Sequence, residues 1–65
     1  MELVVIRAGN IRGGDFYQGH VVRQNIVRKR RNYVAIKKHQ RGLTIIPFDS
    51  DSKVIVRRPS YNSVD

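Results

Sequence analysis

Short apolar runs recur along the chain, and turn-forming residues separate them. The runs lie at residues 3–7, 16–27, 33–37, 43–48 and 54–57. Gly, Asn, Asp and Ser lie between them, and these residue types suit turns because they tolerate or stabilise the backbone conformations that a reversal needs. Short runs with this punctuation predict five strands, a pattern typical of a small β-barrel or sandwich.

Side-chain alternation within the runs predicts which residues face the core. In the third run Val34 and Ile36 share one face, whereas Tyr33, Ala35 and Lys37 share the other. Three of the runs are nearly all apolar. This predicts that those strands contact the core from both faces, as in a tiny sheet that curls onto itself.

The amino-acid inventory favours strands over helices. Val and Ile together number sixteen, against four for Leu and Ala together. Branching at Cβ restricts rotamers in a helix and suits a pleated surface, so an all-β fold is predicted.

Pro47 lacks a backbone donor, so the fourth strand should end there or lie at a sheet edge. One helical alternative stays open: residues 20–31 place Val22 and Ile26 four apart, as on the apolar face of an amphipathic helix.

The chain is short and strongly basic. It has 65 residues, no cysteine, and 13 Lys and Arg against 5 Asp and Glu, which gives a net charge of +8. A chain of this size forms one domain with a small core, so we expect one barrel over residues 1–58 and a disordered tail over residues 59–65. Disulfides and thiolate metal sites are excluded, and formation of a homodimer would add stability. The first residues resemble neither a secretory leader nor a membrane span, so a cytoplasmic protein without membrane association is expected.

Two clusters of cations are the strongest functional signal. The first is Arg28, Lys29, Arg30 and Arg31, in the hairpin expected between the second and third strands. Neighbouring like charges repel, and a partner with fixed negative charge relieves that repulsion. Arginine suits phosphate oxygens because its planar guanidinium donates paired hydrogen bonds. The second cluster lies at the opposite end of the third strand and comprises Lys37, Lys38 and Arg41. Other basic residues that could extend the same face are Arg7, Arg12, Arg23, Arg57 and Arg58.

Aromatic side chains near these cations indicate how a nucleic acid would be contacted. Tyr17 and Tyr33 are candidates for stacking on unpaired bases, whereas Phe16 and Phe48 are expected in the core. RNA or single strands are therefore slightly favoured over duplex DNA. The sequence holds few groups suited to catalysis: it has two histidines and no phosphate-binding glycine loop. We therefore expect no enzyme activity, catalytic residue, metal or cofactor.

A family resemblance covers residues 4–22. The run from Val4 to Gly13, an apolar strand followed by Gly, two residues, a basic residue and Gly, resembles the opening of a KOW motif. Gly19 and the valines after it resemble the motif's continuation, although the segment between Gly13 and Gly19 is longer than the family pattern. The resemblance implies an SH3-like barrel of the kind found in ribosomal proteins and NusG-type elongation factors, which bind RNA or protein.

The sequence therefore predicts a small, basic, five-stranded SH3-like barrel that binds nucleic acid mostly through phosphates, in transcription or translation. The alternative is a protein-binding accessory module that docks its basic face on an acidic patch of a larger machine such as RNA polymerase. Exposed apolar residues beside the cations would favour that alternative, because protein interfaces need a desolvated anchor. Ile11, Phe16 and Tyr17 are candidates for that anchor.

Overall fold

The computed structural model describes residues 2–39 and 42–59, and it is all-β in that part of the chain. The strands form one antiparallel sheet in the order β1-β6-β2-β3-β4-β5. Within the same residues no helix is long and apolar enough to cross a membrane. The elements are β1 (Glu2–Arg7), a 3-10 turn (Ala8–Asn10), β2 (Phe16–Tyr17), β3 (His20–Arg28), β4 (Arg31–His39), β5 (Gly42–Asp49) and β6 (Lys53–Arg58).

The predicted all-β class is confirmed, but the sheet has six strands rather than five. The run at residues 16–27 divides at Gln18 and Gly19, whose φ angles are 51° and 84°. Two consecutive positive φ angles between the paired residues Tyr17 and His20 make a tight type I′ hairpin turn. The helical alternative for residues 20–31 is wrong, because this segment forms β3 and the turn into β4.

Closure into a barrel is not confirmed. The strands β1 and β5 lie at the two ends of the strand order, and the sheet is open between them. The 3-10 turn lies against β4 and the end of β5. Its backbone is held by the turn between β5 and β6: Ala8 N–H donates to the Ser52 carbonyl at 2.7 Å, and Gly9 N–H donates to that of Ser50 at 3.0 Å. Pro47 lies in β5, which confirms its prediction at a sheet edge.

The core lies on one face of the curled sheet, which we call the inner face. Its buried members come from both halves of the sheet and from the loop after β1, so the two halves bend towards each other. Ile11 is buried in this core, which removes it as a surface anchor. The buried residues are Ala8, Ile11, Val22, Val34, Ile36 and Val56, and those packed against them are Val4, Ile6, Tyr17, Ile46, Phe48 and Val54.

The prediction that strands contact the core from both faces is wrong. Leu3, Val5 and Ile55 are 62%, 64% and 58% exposed, and Leu43 and Ile45 are also more than half exposed. Directly opposed residues of an antiparallel pair lie on the same side, and alternation then places these five opposite the core, on what we call the outer face. The chain has no second layer within the described residues to cover that face.

Candidate nucleic-acid interface

The basic tip, defined as Arg28, Lys29, Arg30 and Arg31, forms the hairpin turn between β3 and β4. Arg28 and Arg31 are directly opposed and close the turn, while Lys29 and Arg30 form its two-residue loop. All four residues are exposed. Like charges directly opposite each other across a strand pair are destabilising, so the tip is arranged at a cost to folding that an anionic partner would relieve. The hairpin position predicted for this cluster is confirmed.

Lys29 adopts a backbone conformation that glycine would adopt more easily. Its φ is 55°, in the left-handed region that carries a steric cost for residues with a Cβ atom. Residues held in such conformations cluster at functional sites, where another requirement outweighs the strain. A lysine at this position places a positive charge in the two-residue loop of the hairpin.

Carboxylates lie beside the tip, a feature that the sequence clusters did not reveal. Asp49 is directly opposed to Arg31 across β4 and β5, and the exposed Asp51 follows two residues later. The Ser50 N–H donates to the Arg30 carbonyl at 2.8 Å and anchors the turn between β5 and β6 to the tip. None of the described carboxylates is within 4 Å of a tip cation. Among the described residues, Arg31 is the tip cation with a carboxylate directly opposed to it in the strand register.

Tyr33 lies on the outer face next to the tip, two residues from Arg31 along β4. It is 36% exposed and is directly opposed to Ile26 on one side and to Pro47 on the other. These three side chains form a flat apolar row across three strands. The row lies about 7 Å from the Arg28–Arg31 pair, because two residues of a strand advance by that distance. A base could stack on Tyr33 while the neighbouring phosphate contacts the arginines.

The second predicted cluster lies towards the end of β4. Lys37 is exposed on the outer face about 20 Å from Arg31, since six strand residues separate them. Lys38 is exposed where the register of β4 with β5 shifts. Arg41 lies outside the described residues. Lys37 belongs to one row of directly opposed residues that crosses all six strands: Leu3, Arg57, Phe16, Val21, Lys37 and Leu43.

Two other predicted site residues, Tyr17 and Arg12, lie outside the tip. Tyr17 points inward and is half-buried, with its ring at 90° to that of Phe48 and the ring centres 5.6 Å apart. This edge-to-face contact belongs to the core, so Tyr17 has little surface left for stacking. Phe16, expected in the core, lies on the outer face and is half-buried. Arg12 is exposed in the loop between β1 and β2.

Arg58 does not extend the basic face, as the sequence suggested, because it binds Asp15. The Asp15 carboxylate is almost fully buried and receives two hydrogen bonds from the Arg58 guanidinium. Burial by itself would raise the pKa of Asp15, but these bonds, the Arg12 backbone N–H and the charges of both arginines hold that pKa below its ordinary value. The carboxylate in turn raises the pKa of Arg58. The sequence pattern carries no signal for this pair.

Unpaired positive charge dominates the rest of the described surface. In residues 2–39 and 42–59 the ion pair between Arg58 and Asp15 is the one with atoms within 4 Å. The same residues contain no group of three or more His, Cys, Asp or Glu side chains that could hold a metal ion. The arrangement can therefore bind an anionic partner through cations, supported by one exposed aromatic side chain.

Comparisons with known proteins give this chain no relatives: no family model, no curated protein and no solved structure matches it.

Proposed function

We propose that this protein is a small, non-enzymatic nucleic-acid-binding protein that contacts phosphates with the basic tip and an unpaired base with Tyr33. The observation that carries the proposal is the direct opposition of Arg28 and Arg31 beside the row formed by Ile26, Tyr33 and Pro47. Cations alone bind any anionic surface. A partly exposed aromatic ring two residues from an arginine pair suits a single-stranded nucleic acid, because the unpaired bases of a single strand are free to stack.

The test is fluorescence anisotropy with labelled single-stranded RNA, single-stranded DNA and duplex DNA at several salt concentrations. If four to six phosphates are contacted, the logarithm of affinity falls with the logarithm of salt at a slope of about −3 to −5. Arg30→Glu with Arg31→Glu should weaken binding at least about tenfold across sequences. The matched control is Arg7→Glu with Lys53→Glu, which changes the net charge equally on another part of the outer face. Equal losses from both double variants would reject the tip as the site.

The SH3-like, KOW-type relationship belongs to the same proposal. It draws support from the all-β content, the strong curvature of the sheet and the glycines around the turns at residues 13–19. Under this proposal the fold is an SH3-like barrel that is not closed. The 3-10 turn lies beside β5, at the place where the sheet remains open. A cytoplasmic role in transcription or translation follows from that relationship.

Protein docking is the second candidate function, and the exposed apolar residues of the outer face favour it. Leu3, Val5 and Ile55 form one cluster on β1 and β6, and Leu43 and Ile45 form another on β5. Aliphatic side chains do not stack on bases as aromatic rings do, and their exposure in contiguous groups is typical of interaction surfaces. The first cluster lies among cations, which is the combination expected of a surface that binds an acidic protein.

A further inference from the structure

The strand β1 is an open sheet edge whose central residues, Leu3 to Ile6, carry no charge, proline or bulge that would oppose pairing with another strand. It occupies one end of the strand order, so its backbone pairs with β6 on one side only. Its six residues contain no proline and no bulge, in contrast to β5, which carries Pro47 and an irregular register near its start. Among the described residues, β1 takes part in no further backbone hydrogen bond. Alternate N–H and C=O groups of β1 are thus free to pair with an added strand.

Apolar side chains next to this edge are exposed on the outer face. Leu3 of β1 is 62% exposed, and Ile55 of the neighbouring β6 is 58% exposed. Val5, directly opposed to Ile55, is 64% exposed and continues the apolar surface along β1. A strand added to β1 would direct alternate side chains towards this face, where they would lie beside Leu3 and Val5.

The charges on this part of the outer face favour an acidic partner. Arg7 and Lys53 are directly opposed on the outer face, and Arg57 is directly opposed to Leu3. Like charges in direct opposition destabilise a strand pair. No described carboxylate is within 4 Å of these three cations. Glu2, the acidic residue of β1, alternates to the inner side with Arg58, so it leaves the positive charge of the outer face uncompensated.

We infer that β1 binds an extended acidic peptide segment of a partner protein, which pairs with the strand edge, packs apolar side chains against Leu3 and Val5, and places carboxylates near Arg7, Lys53 and Arg57. Main-chain hydrogen bonds supply affinity in this mode of recognition, and contacts with alternate side chains supply specificity. This surface is separate from the basic tip, so the inference does not depend on the proposed binding of nucleic acid.

The other occupants fit less well. A second copy would bring another net charge of +8, and its own Arg7, Lys53 and Arg57, against the same surface. A nucleic acid would neutralise the cations. Its bases stack on aromatic rings rather than on Leu3, Val5 or Ile55, and it would not form β-sheet hydrogen bonds with the backbone of β1. An acidic strand would neutralise the cations, cover the apolar side chains and form hydrogen bonds with the backbone of β1.

The probe is a short labelled peptide that alternates glutamate with valine, titrated with the whole protein and followed by anisotropy. Amide chemical shifts report which strand the peptide contacts. Leu3→Ser with Val5→Ser should weaken binding at least about tenfold, because these changes remove the apolar surface at solvent-exposed positions without changing the charge. The matched control is Leu43→Ser with Ile45→Ser, the same kind of change on the other edge strand, and it should bind as the parent does. Circular dichroism establishes that each variant is folded.

Three further outcomes support the inference: a peptide with central proline binds weakly, a peptide with lysine in place of glutamate does not bind, and Arg30→Glu with Arg31→Glu leaves peptide affinity unchanged. The inference is overturned if the parent protein does not bind the peptide, if both serine double variants lose affinity equally, or if the shifts centre on the tip or β5. It is also overturned if sedimentation shows a dimer that Leu3→Ser with Val5→Ser dissociates, since a second copy would then occupy the edge.

Discussion

Arg58 and Asp15 form a two-pronged ion pair across 43 residues of sequence: Arg58 Nε donates to Asp15 Oδ1 at 2.9 Å, and Nη2 donates to Oδ2 at 2.8 Å. The same guanidinium reaches the Asn10 carbonyl at 3.2 Å. Asp15 also accepts the Arg12 backbone N–H at 2.9 Å, while its own N–H donates to the Arg12 carbonyl. The pair therefore fastens the glycine-containing loop after the 3-10 turn to the end of β6.

Asp15→Asn should lower the free energy of unfolding by about 1–3 kcal/mol. The change removes a charged acceptor that is 2% exposed and leaves Arg58 without its partner, although the partly exposed guanidinium regains some water. Urea unfolding followed by circular dichroism measures the difference. Asp51→Asn, in an exposed turn, removes the same charge and should change stability by less than about 0.5 kcal/mol. Equal effects of the two substitutions would show that net charge, not the ion pair, is responsible.

The depressed pKa of Asp15 makes stability depend on pH in the acid range. A carboxyl whose folded pKa lies below its unfolded value stabilises the fold above the unfolded pKa, about 3.9 for Asp. That contribution disappears as pH falls through the folded pKa. The stability difference between the parent and Asp15→Asn should thus be largest near neutral pH and shrink below about pH 4. Urea titrations from neutral to acid pH test this, and a difference that stays constant would contradict it.

Asn32 and Asn25 are coupled beneath the basic tip. Asn32 is fully buried, and its amide donates to the Ala8 carbonyl at 3.0 Å and to Asn25 Oδ1 at 2.8 Å. Asn25 donates to the Ala8 and Ile11 carbonyls at 3.1 and 2.9 Å. Asn32→Ala should destabilise the protein by about 1–3 kcal/mol, because Asn25 Oδ1 loses its donor and the buried amide is removed, while the Ala8 carbonyl keeps the Asn25 amide and the Ile11 N–H as donors.

A double-mutant cycle of Asn25→Ala and Asn32→Ala should give a coupling energy of about 0.5–3 kcal/mol. Gln24→Ala, at an exposed position of the same strand, is the control and should be nearly neutral. Additive effects of the two asparagine substitutions would show that their mutual hydrogen bond contributes nothing to stability.

Lys29→Gly should stabilise the protein by up to about 1 kcal/mol while weakening nucleic-acid binding. Glycine has no Cβ to oppose the φ of 55°, and removal of one cation also lowers repulsion in the tip. Thermal unfolding and anisotropy on the same samples report the two effects. Arg30→Gly is the comparison, since Arg30 has no positive φ and gains no relief. A destabilised Lys29→Gly would mean that the left-handed conformation carries no strain.

Gly19→Ala should destabilise the protein by about 1 kcal/mol, since Gly19 has a φ of 84° in the turn between β2 and β3. A Cβ there would meet no atom within 4 Å, so the cost comes from the backbone alone. Gly42→Ala is the matched control, because Gly42 has equally open surroundings without a positive φ. It should be neutral or slightly stabilising. Chemical denaturation compares them, and equal effects would reject the turn assignment.

The strands were predictable because their signal is local. Cβ-branched runs and turn residues mark β1, β4, β5 and β6 to within a few residues, and Pro47 correctly marked an edge strand. The division of the run at residues 16–27 was missed. Gln18 gives no turn signal comparable to Asn or Gly, yet it adopts a positive φ there.

The candidate site was predicted in part. The hairpin position of the basic tip follows from the order of the runs, and Tyr33 was already placed beside it. The neighbours of the tip were not predictable, because the register of β4 with β5 decides that Asp49 is directly opposed to Arg31. Likewise, the assignment of Ile11 to the core and of Phe16 to the outer face depends on which strands pair. Arg41 and residues 60–65, including most of the predicted tail, lie outside the described residues.

By itself the sequence determined that the chain forms strands, that it is strongly basic and that four cations share one turn. These properties belong to single residues or short segments, whose rotamer preferences and charges act locally. Only the tertiary structure decided which apolar residues are buried, that the sheet stays open, and that Arg58 is neutralised by Asp15 whereas Arg7 and Lys53 oppose each other without a carboxylate. Those facts depend on pairing register, because a shift of one residue moves every side chain of a strand to the opposite face.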